Sequence, residues 1–323
     1  MTASGAAGGL IRLLAASAHS GKVLLALGIL GGILLPPAAR ALHGLVPVAV
    51  VGLSTLVLLR VDIPATLAQL RRPGRLVAVL AFQMLACPVL AWVVVRALPL
   101  DPGIADAVVL FATGAAIVSA PAYARLLELD AELSLLGALA GTLLVPFTAP
   151  PIAWALTGVD LAIGMEAFAA RLAAVVGLPL LLSVLLRWLA GAARLEALGP
   201  ALDGLTVWLL VAFGVGVMDG VGARLLAEPA WVLEATLAAC AASSGLNLAT
   251  TAALLPLGAR AAATAGMLSG FRSMALYLAV LPAAADPRVA LFFGLYQIPL
   301  YLGPLALAPA YRVFLRLNDG RRA

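Results

Sequence analysis

Charge is what this chain has least of. Of its 323 residues only 11% are Asp, Glu, Lys or Arg, less than half the roughly 25% of a soluble domain. With 64% hydrophobic residues, it has too little polar surface to cover a globule in water. In a bilayer the apolar surface is the satisfied one. A soluble domain of useful size is therefore excluded. Cysteine is scarce as well. Cys87 and Cys240 stand alone inside apolar runs, which excludes a disulfide framework or a cysteine metal site and leaves two small buried hydrophobes. His19 and His43 fall in terminal or loop segments, badly placed for intramembrane acid–base work. There is no His-Glu-x-x-His, no Gly-x-Ser-x-Gly and no Asp pair at metal spacing, so a membrane enzyme is not expected. Lys22 is the only lysine. The arginines are spread over many short loops, which argues against a nucleic-acid face.

What is present is apolar sequence in long runs. One span needs about 20 apolar residues. Charged and Pro/Gly-rich breaks divide the chain into spans at 22–38, 44–59, 75–98, 104–127, 132–157, 167–189, 203–219, 229–256, 259–282 and 287–315. The runs do not alternate in polarity, so they read as helices rather than barrel strands. An earlier apolar run, 10–18, is interrupted by Arg12 and is too short to be expected as a cleaved signal peptide.

Arginine placement gives the orientation. Fourteen basic residues, from Arg12 and Lys22 through Arg60, Arg125, Arg187 and Arg260 to Arg322, lie at the termini or in even-numbered loops. Five lie on the other side: Arg40, Arg96, Arg171, Arg224 and Arg288. Both termini are expected to be cytoplasmic. Arg272 belongs to neither side, because it falls in the middle of span nine.

Ten spans divide into halves of five, 22–157 and 167–315, and an odd number per half inverts the second against the first. Inverted repeats with interrupted helices at matching positions mark the midplane sites of many secondary transporters. Span four is interrupted at Ser119-Ala120-Pro121 and span nine at Ser269-Gly270-Phe271-Arg272-Ser273, each the fourth of its half. Spans five and ten follow with internal prolines. The expected fold is thus an all-α membrane protein of ten transmembrane helices in two inverted five-helix repeats, with helices four and nine discontinuous.

The motifs add a resemblance. Arg71-Arg72-Pro73-Gly74 followed by Gln83 and, five residues later, Pro88, then Leu133-Ser134 with Thr142 and Pro146, and Gly270 in span nine, resemble the bile acid:sodium symporter family. That family sits in a wider group with arsenite exporters and auxin carriers, and the likeness runs from about residue 25 to 315. It implies two sodium ions held where the broken helices cross, by a Ser-Asn pair in span four and a Glu and Gln in span nine. Here the Ser-Asn pair would fall on Ala120-Pro121. The Glu becomes Leu268, the Gln becomes Arg272, the Asn becomes Ser273, and a span-five threonine becomes Ala138. Gln83 and Ser134 remain as the remnant of the cation site. Sodium prefers about five or six oxygens, a carboxylate among them. No cofactor is expected, and sodium coupling is expected to be altered or absent.

Arg272 is costly near the bilayer centre, by roughly 2.5–3.5 kcal/mol on insertion scales, and it cannot deprotonate. It reads either as a substrate ligand or as a tie to backbone carbonyls. Arg272, Ser273, Ser119 and Asn247 form the expected substrate-binding set, although Asn247, Ser243 and Ser244 could equally glue helices together. Ser134 reads as a helix cap beside Asp130 and Glu132 or as a cation ligand. The five tryptophans, near span ends, read as interfacial anchors. Heavy use of Ala, Arg, Gly and Pro suggests a high-GC bacterial source. The expected function is a secondary transporter of a small organic anion in the bacterial inner membrane. The alternatives are a sodium-coupled symporter of bile-acid-like or keto-acid substrates, and a receptor or scaffold without transport. An arsenite exporter would need a cysteine that span four lacks.

Overall fold

The computed structural model describes Leu14 and residues 21–61, 73–158, 164–281 and 286–319. Among them all regular structure is helical. In chain order the helices are α1 (Gly21–Leu34), α2 (Pro36–His43), α3 (Val46–Leu59), α4 (Pro73–Ala97), α5 (Pro102–Thr113), α6 (Ala120–Leu126), α7 (Ala131–Thr157) and α8 (Gly164–Ala190). They continue as α9 (Ala192–Ala197), α10 (Gly199–Val217), α11 (Val221–Ala227), α12 (Pro229–Ala253), α13 (Ala259–Gly270), α14 (Met274–Val280), α15 (Pro287–Leu295) and α16 (Gln297–Asp319).

Among the described residues, six continuous stretches are long and apolar enough to cross a membrane: α4, α7, α8, α10 with α11, α12, and α15 with α16. A seventh is added if α2 and α3, bent by 67° at their junction, count as one span. The difference from ten has identifiable causes. Spans four and nine are each broken into two helices too short to cross alone. Span one is described from Gly21 and its helix α1 ends at Leu34, because Pro36 and Pro37 open a new helix, as proline does in a first turn.

The chain forms two compact units, 1–61 with 174–228 and 62–173 with 229–323. In the first, α10 packs on α1, α2 and α3. Gly32 lets α1 touch α10, since a Cβ there would sit 2.7 Å from the Val215 carbonyl oxygen. Arg187 donates to the carbonyls of Leu59 and Val61 and so closes the end of α3. The Arg60–Asp203 ion pair is exposed on both sides and adds little.

The second unit holds both broken helices. Its tightest pairing is α12 against α13, and it depends on Gly266. A Cβ there would lie 2.0 Å from Thr251 Oγ1 and 2.5 Å from the Asn247 carbonyl oxygen. Gly266→Val is therefore expected to destabilise the protein by about 1–3 kcal/mol or more, seen as a lower melting temperature in detergent. Gly245→Ala, with nothing within 4 Å of its new methyl, serves as the neutral control. Equal melting temperatures for the two variants would contradict the packing argument.

Tryptophan placement is mixed. Trp154 and Trp188 are largely exposed, at 61% and 78%, as anchors should be, whereas Trp231 is buried. The Glu128–Asp130–Glu132 junction is organised by Asp130, which caps α7 by accepting from the Leu133 N–H. Ser134 is not the cap.

Candidate functional site

The site is built from helix ends that leave backbone groups without helical partners. α5 stops at Thr113, with Gly114 extended at its C-cap. The chain resumes helix only at Ala120, with Pro121 in the first turn of α6. The break therefore precedes the Ser119–Pro121 position expected from sequence, because this proline opens a helix rather than ending one. α13 stops at Gly270 and α14 starts at Met274. The two gaps cross antiparallel. Ala116 pairs with Arg272, the Ile117 N–H donates to the Phe271 carbonyl at 2.9 Å, and the Ser273 N–H to the Ala115 carbonyl at 2.8 Å.

A third group of free carbonyls comes from α4. Residues Phe82–Ala86 form a π-turn, in which the Cys87 N–H is taken by the Phe82 carbonyl. In that register the Gln83 carbonyl would need the N–H of residue 88. Pro88 has none, so the Gln83 carbonyl is left without a helical donor.

Arg272 meets these ends. Its Nε donates to the Ser269 carbonyl at 2.9 Å, one terminal nitrogen to the Gly114 carbonyl, and the other to the Gln83 carbonyl at 3.0 Å. Its backbone N–H donates to the Tyr296 hydroxyl at 2.8 Å. The side chain is fully buried. Helix C-termini carry partial negative charge, and here α5 and α13 both end on one guanidinium. The cost of burying a cation is offset by carbonyls that would otherwise be orphaned.

The remaining carbonyls of the α13 terminus are satisfied one by one. Leu268 accepts from Gln83 Nε2 at 3.2 Å. Gly270 accepts from Ser243 Oγ at 2.8 Å and from the Tyr296 hydroxyl at 3.0 Å. Met267 accepts from the Phe271 N–H. Behind them, Asn247 Nδ2 donates to the Tyr311 hydroxyl at 2.6 Å, and Tyr277 shares a 2.6 Å hydrogen bond with Thr113.

Of the residues expected from sequence, Gln83 and Arg272 meet directly. Ser134 is buried on the α7 face that continues through Gly137, against Leu268, and Gly141, near Gln83 Oε1. Arg272 and Asn247 are enclosed and bonded to protein. Ser119 and Ser273, the residues just before α6 and α14, are partly exposed, and neither side chain caps its helix. Tyr296, which bridges Arg272 to Gly270, carries no sequence signal beyond being a tyrosine in mid-span.

The oxygens left for a cation are few. Gln83 Oε1, Ser134 Oγ and Ser269 Oγ are buried without a hydrogen-bond partner among the described residues. No group of three or more His, Cys, Asp or Glu gathers to hold a metal among those residues. The carbonyls best placed to surround an ion already accept from Arg272. Few oxygens at this crossing are therefore left free of a protein donor.

Away from the crossing, one face of α4, with residues such as Ala78, Phe82, Leu85, Val89 and Val93, is apolar and open. Compared with known proteins, the sequence matches no family profile and no curated protein.

Proposed function

We propose that this multi-pass membrane protein is a secondary transporter of a small organic anion, a divergent relative of the bile acid:sodium symporter family, in which Arg272 stands where a coupled cation would be. The observation that carries the reading is the antiparallel crossing of two broken helices around a buried guanidinium. Unwound backbone at membrane depth is tolerated where it is buried in protein or lines a cavity, and paired interruptions of this kind belong to transporter midplane sites.

The division into units supports a ten-span, inverted-repeat reading. Spans one and two lie in one unit with span seven and most of span six. Spans three to five lie in the other with spans eight to ten. Corresponding members of the two halves thus group together. On this reading the protein sits in a bacterial inner membrane with both termini cytoplasmic, from the distribution of arginine.

A second reading has its own support. The unpaired oxygens of Gln83, Ser134 and Ser269 would favour a residual sodium site and symport. The missing carboxylate at Leu268 and the fixed charge of Arg272 weigh against it.

Uptake into proteoliposomes tests the proposal. With pyruvate, benzoate and cholate as labelled probes, at least one is expected to enter about tenfold faster than into protein-free vesicles. Uptake of none of the three, with a neutral solute or an organic cation carried instead, would overturn the anion reading.

A further inference from the structure

The carbonyls that end α13 each take a side-chain donor. Leu268 accepts from Gln83, Ser269 from Arg272, and Gly270 from both Ser243 and Tyr296. Past the break, the Arg272 N–H also lacks a helical acceptor. It donates to the Tyr296 hydroxyl at 2.8 Å, and that hydroxyl donates to the Gly270 carbonyl at 3.0 Å. A phenol can do both, because it carries one donor and acceptor lone pairs. Tyr296 thus bonds to both edges of the break, where Ser243 bonds to one.

The ring is held as closely as the hydroxyl. It is fully buried and packs on Phe111 of α5, with centroids 4.6 Å apart and planes tilted by 56°. Phe111 lies in the last turn of α5, where its carbonyl accepts from the Gly114 N–H at 3.1 Å. The Gly114 carbonyl in turn accepts from the Arg272 guanidinium. One tyrosine therefore touches both broken helices. It stands at the C-terminal end of α15. At the other end of α15, Arg288 donates to Asp101 at 2.8 Å, and Asp101 caps the start of α5 by accepting from the Gly103 and Ile104 N–H groups. α15 is tied to α5 at both ends, which fixes the height of the Tyr296 hydroxyl along α5.

We infer that Tyr296 is a positioning residue of the crossing: it sets where span nine breaks and holds the Arg272 main chain so that the guanidinium reaches α4 and α5 at once. A water could bridge the same N–H and carbonyl, but only a side chain ties that bridge to α15. For transport the inference rests on the anion reading and deepens it, since it names what holds Arg272 in place.

The test compares Tyr296→Phe with Ser243→Ala in the full-length protein in lipid nanodiscs. Both remove a donor to Gly270, but only the first takes the acceptor from the Arg272 N–H and cuts the hydroxyl link to α15. Hydrogen exchange is read by mass spectrometry over the segments that carry the Ile117 and Ser273 N–H groups of the crossing. It is expected to quicken about tenfold in Tyr296→Phe and to stay within about twofold of wild type in Ser243→Ala. Exchange in α12 is the reference and is expected to be unchanged in both, which a general loss of stability would not allow. Phe111→Leu loosens the seat of the ring and leaves the hydroxyl in place. It is expected to quicken the same two segments, and it decides the question if Tyr296→Phe does not fold. Uptake of the best-carried of pyruvate, benzoate and cholate is expected to fall about tenfold in Tyr296→Phe and not in Ser243→Ala. Exchange at the crossing that Tyr296→Phe leaves unchanged, or that Ser243→Ala alters equally, would overturn the positioning role. If wild type carries none of the three probes, the anion reading fails and the exchange result still decides that role.

Discussion

Arg272→Met is expected to cost roughly 3 kcal/mol of stability or more and to abolish transport. The size follows from what is left behind. The carbonyls of Ser269, Gly114 and Gln83 stay in the interior, and a buried acceptor without a donor costs about 1–3 kcal/mol. Relief from burying the charge offsets part of this, because such exchanges are neutral only when the partners are replaced too. Arg272→Lys keeps the charge but loses the planar fork, so it cannot reach three carbonyls at once and should fall between methionine and wild type. Melting temperatures in detergent, read beside uptake, give both quantities. A methionine variant as stable as wild type would mean that the guanidinium does not hold the crossing together.

Arg272→Gly extends the same argument. Removing the side chain opens a cage of the same three carbonyls, with Gln83 Oε1 and Ser269 Oγ among the unpaired oxygens. Sodium is then expected to raise the melting temperature of the glycine variant and leave wild type unmoved.

Much of this was legible in the sequence, and the rest was hidden for physical reasons. The membrane class follows from scarce charge. Breaks near residues 119–121 and 269–273 point to the crossing, and Arg272 stands out as a cation in mid-span. The first break lay further upstream because local sequence does not say whether Pro121 closes one helix or opens the next. The guanidinium of Arg272 donates to the backbone carbonyls of Ser269, Gly114 and Gln83, groups that every residue carries, so no side-chain pattern could announce them. The spacing of Gln83 and Pro88 was visible, but its consequence, an orphaned carbonyl at Gln83, depends on a π-turn that periodicity does not reveal. Ser134 resembled a cap, yet Asp130 is in register with the first free N–H groups of α7. Reaching ten spans requires joining the broken halves of spans four and nine and counting α1 as a span, neither of which length and hydropathy alone provide.

The central claim is that Arg272 is the resident cation of the crossing. A second cation beside it would be repelled by roughly 4 kcal/mol for unit charges about 4 Å apart at an effective dielectric of 20, and no carboxylate remains at Leu268 to counter that. The most direct measurement is uptake of the best-carried carboxylate by wild type in sodium, potassium and choline buffers, with Arg272→Gln in parallel. The account predicts wild-type rates that agree within about twofold across the three cations and a variant that transports in none of them, whereas wild-type uptake that occurs in sodium and vanishes in potassium and choline would contradict it.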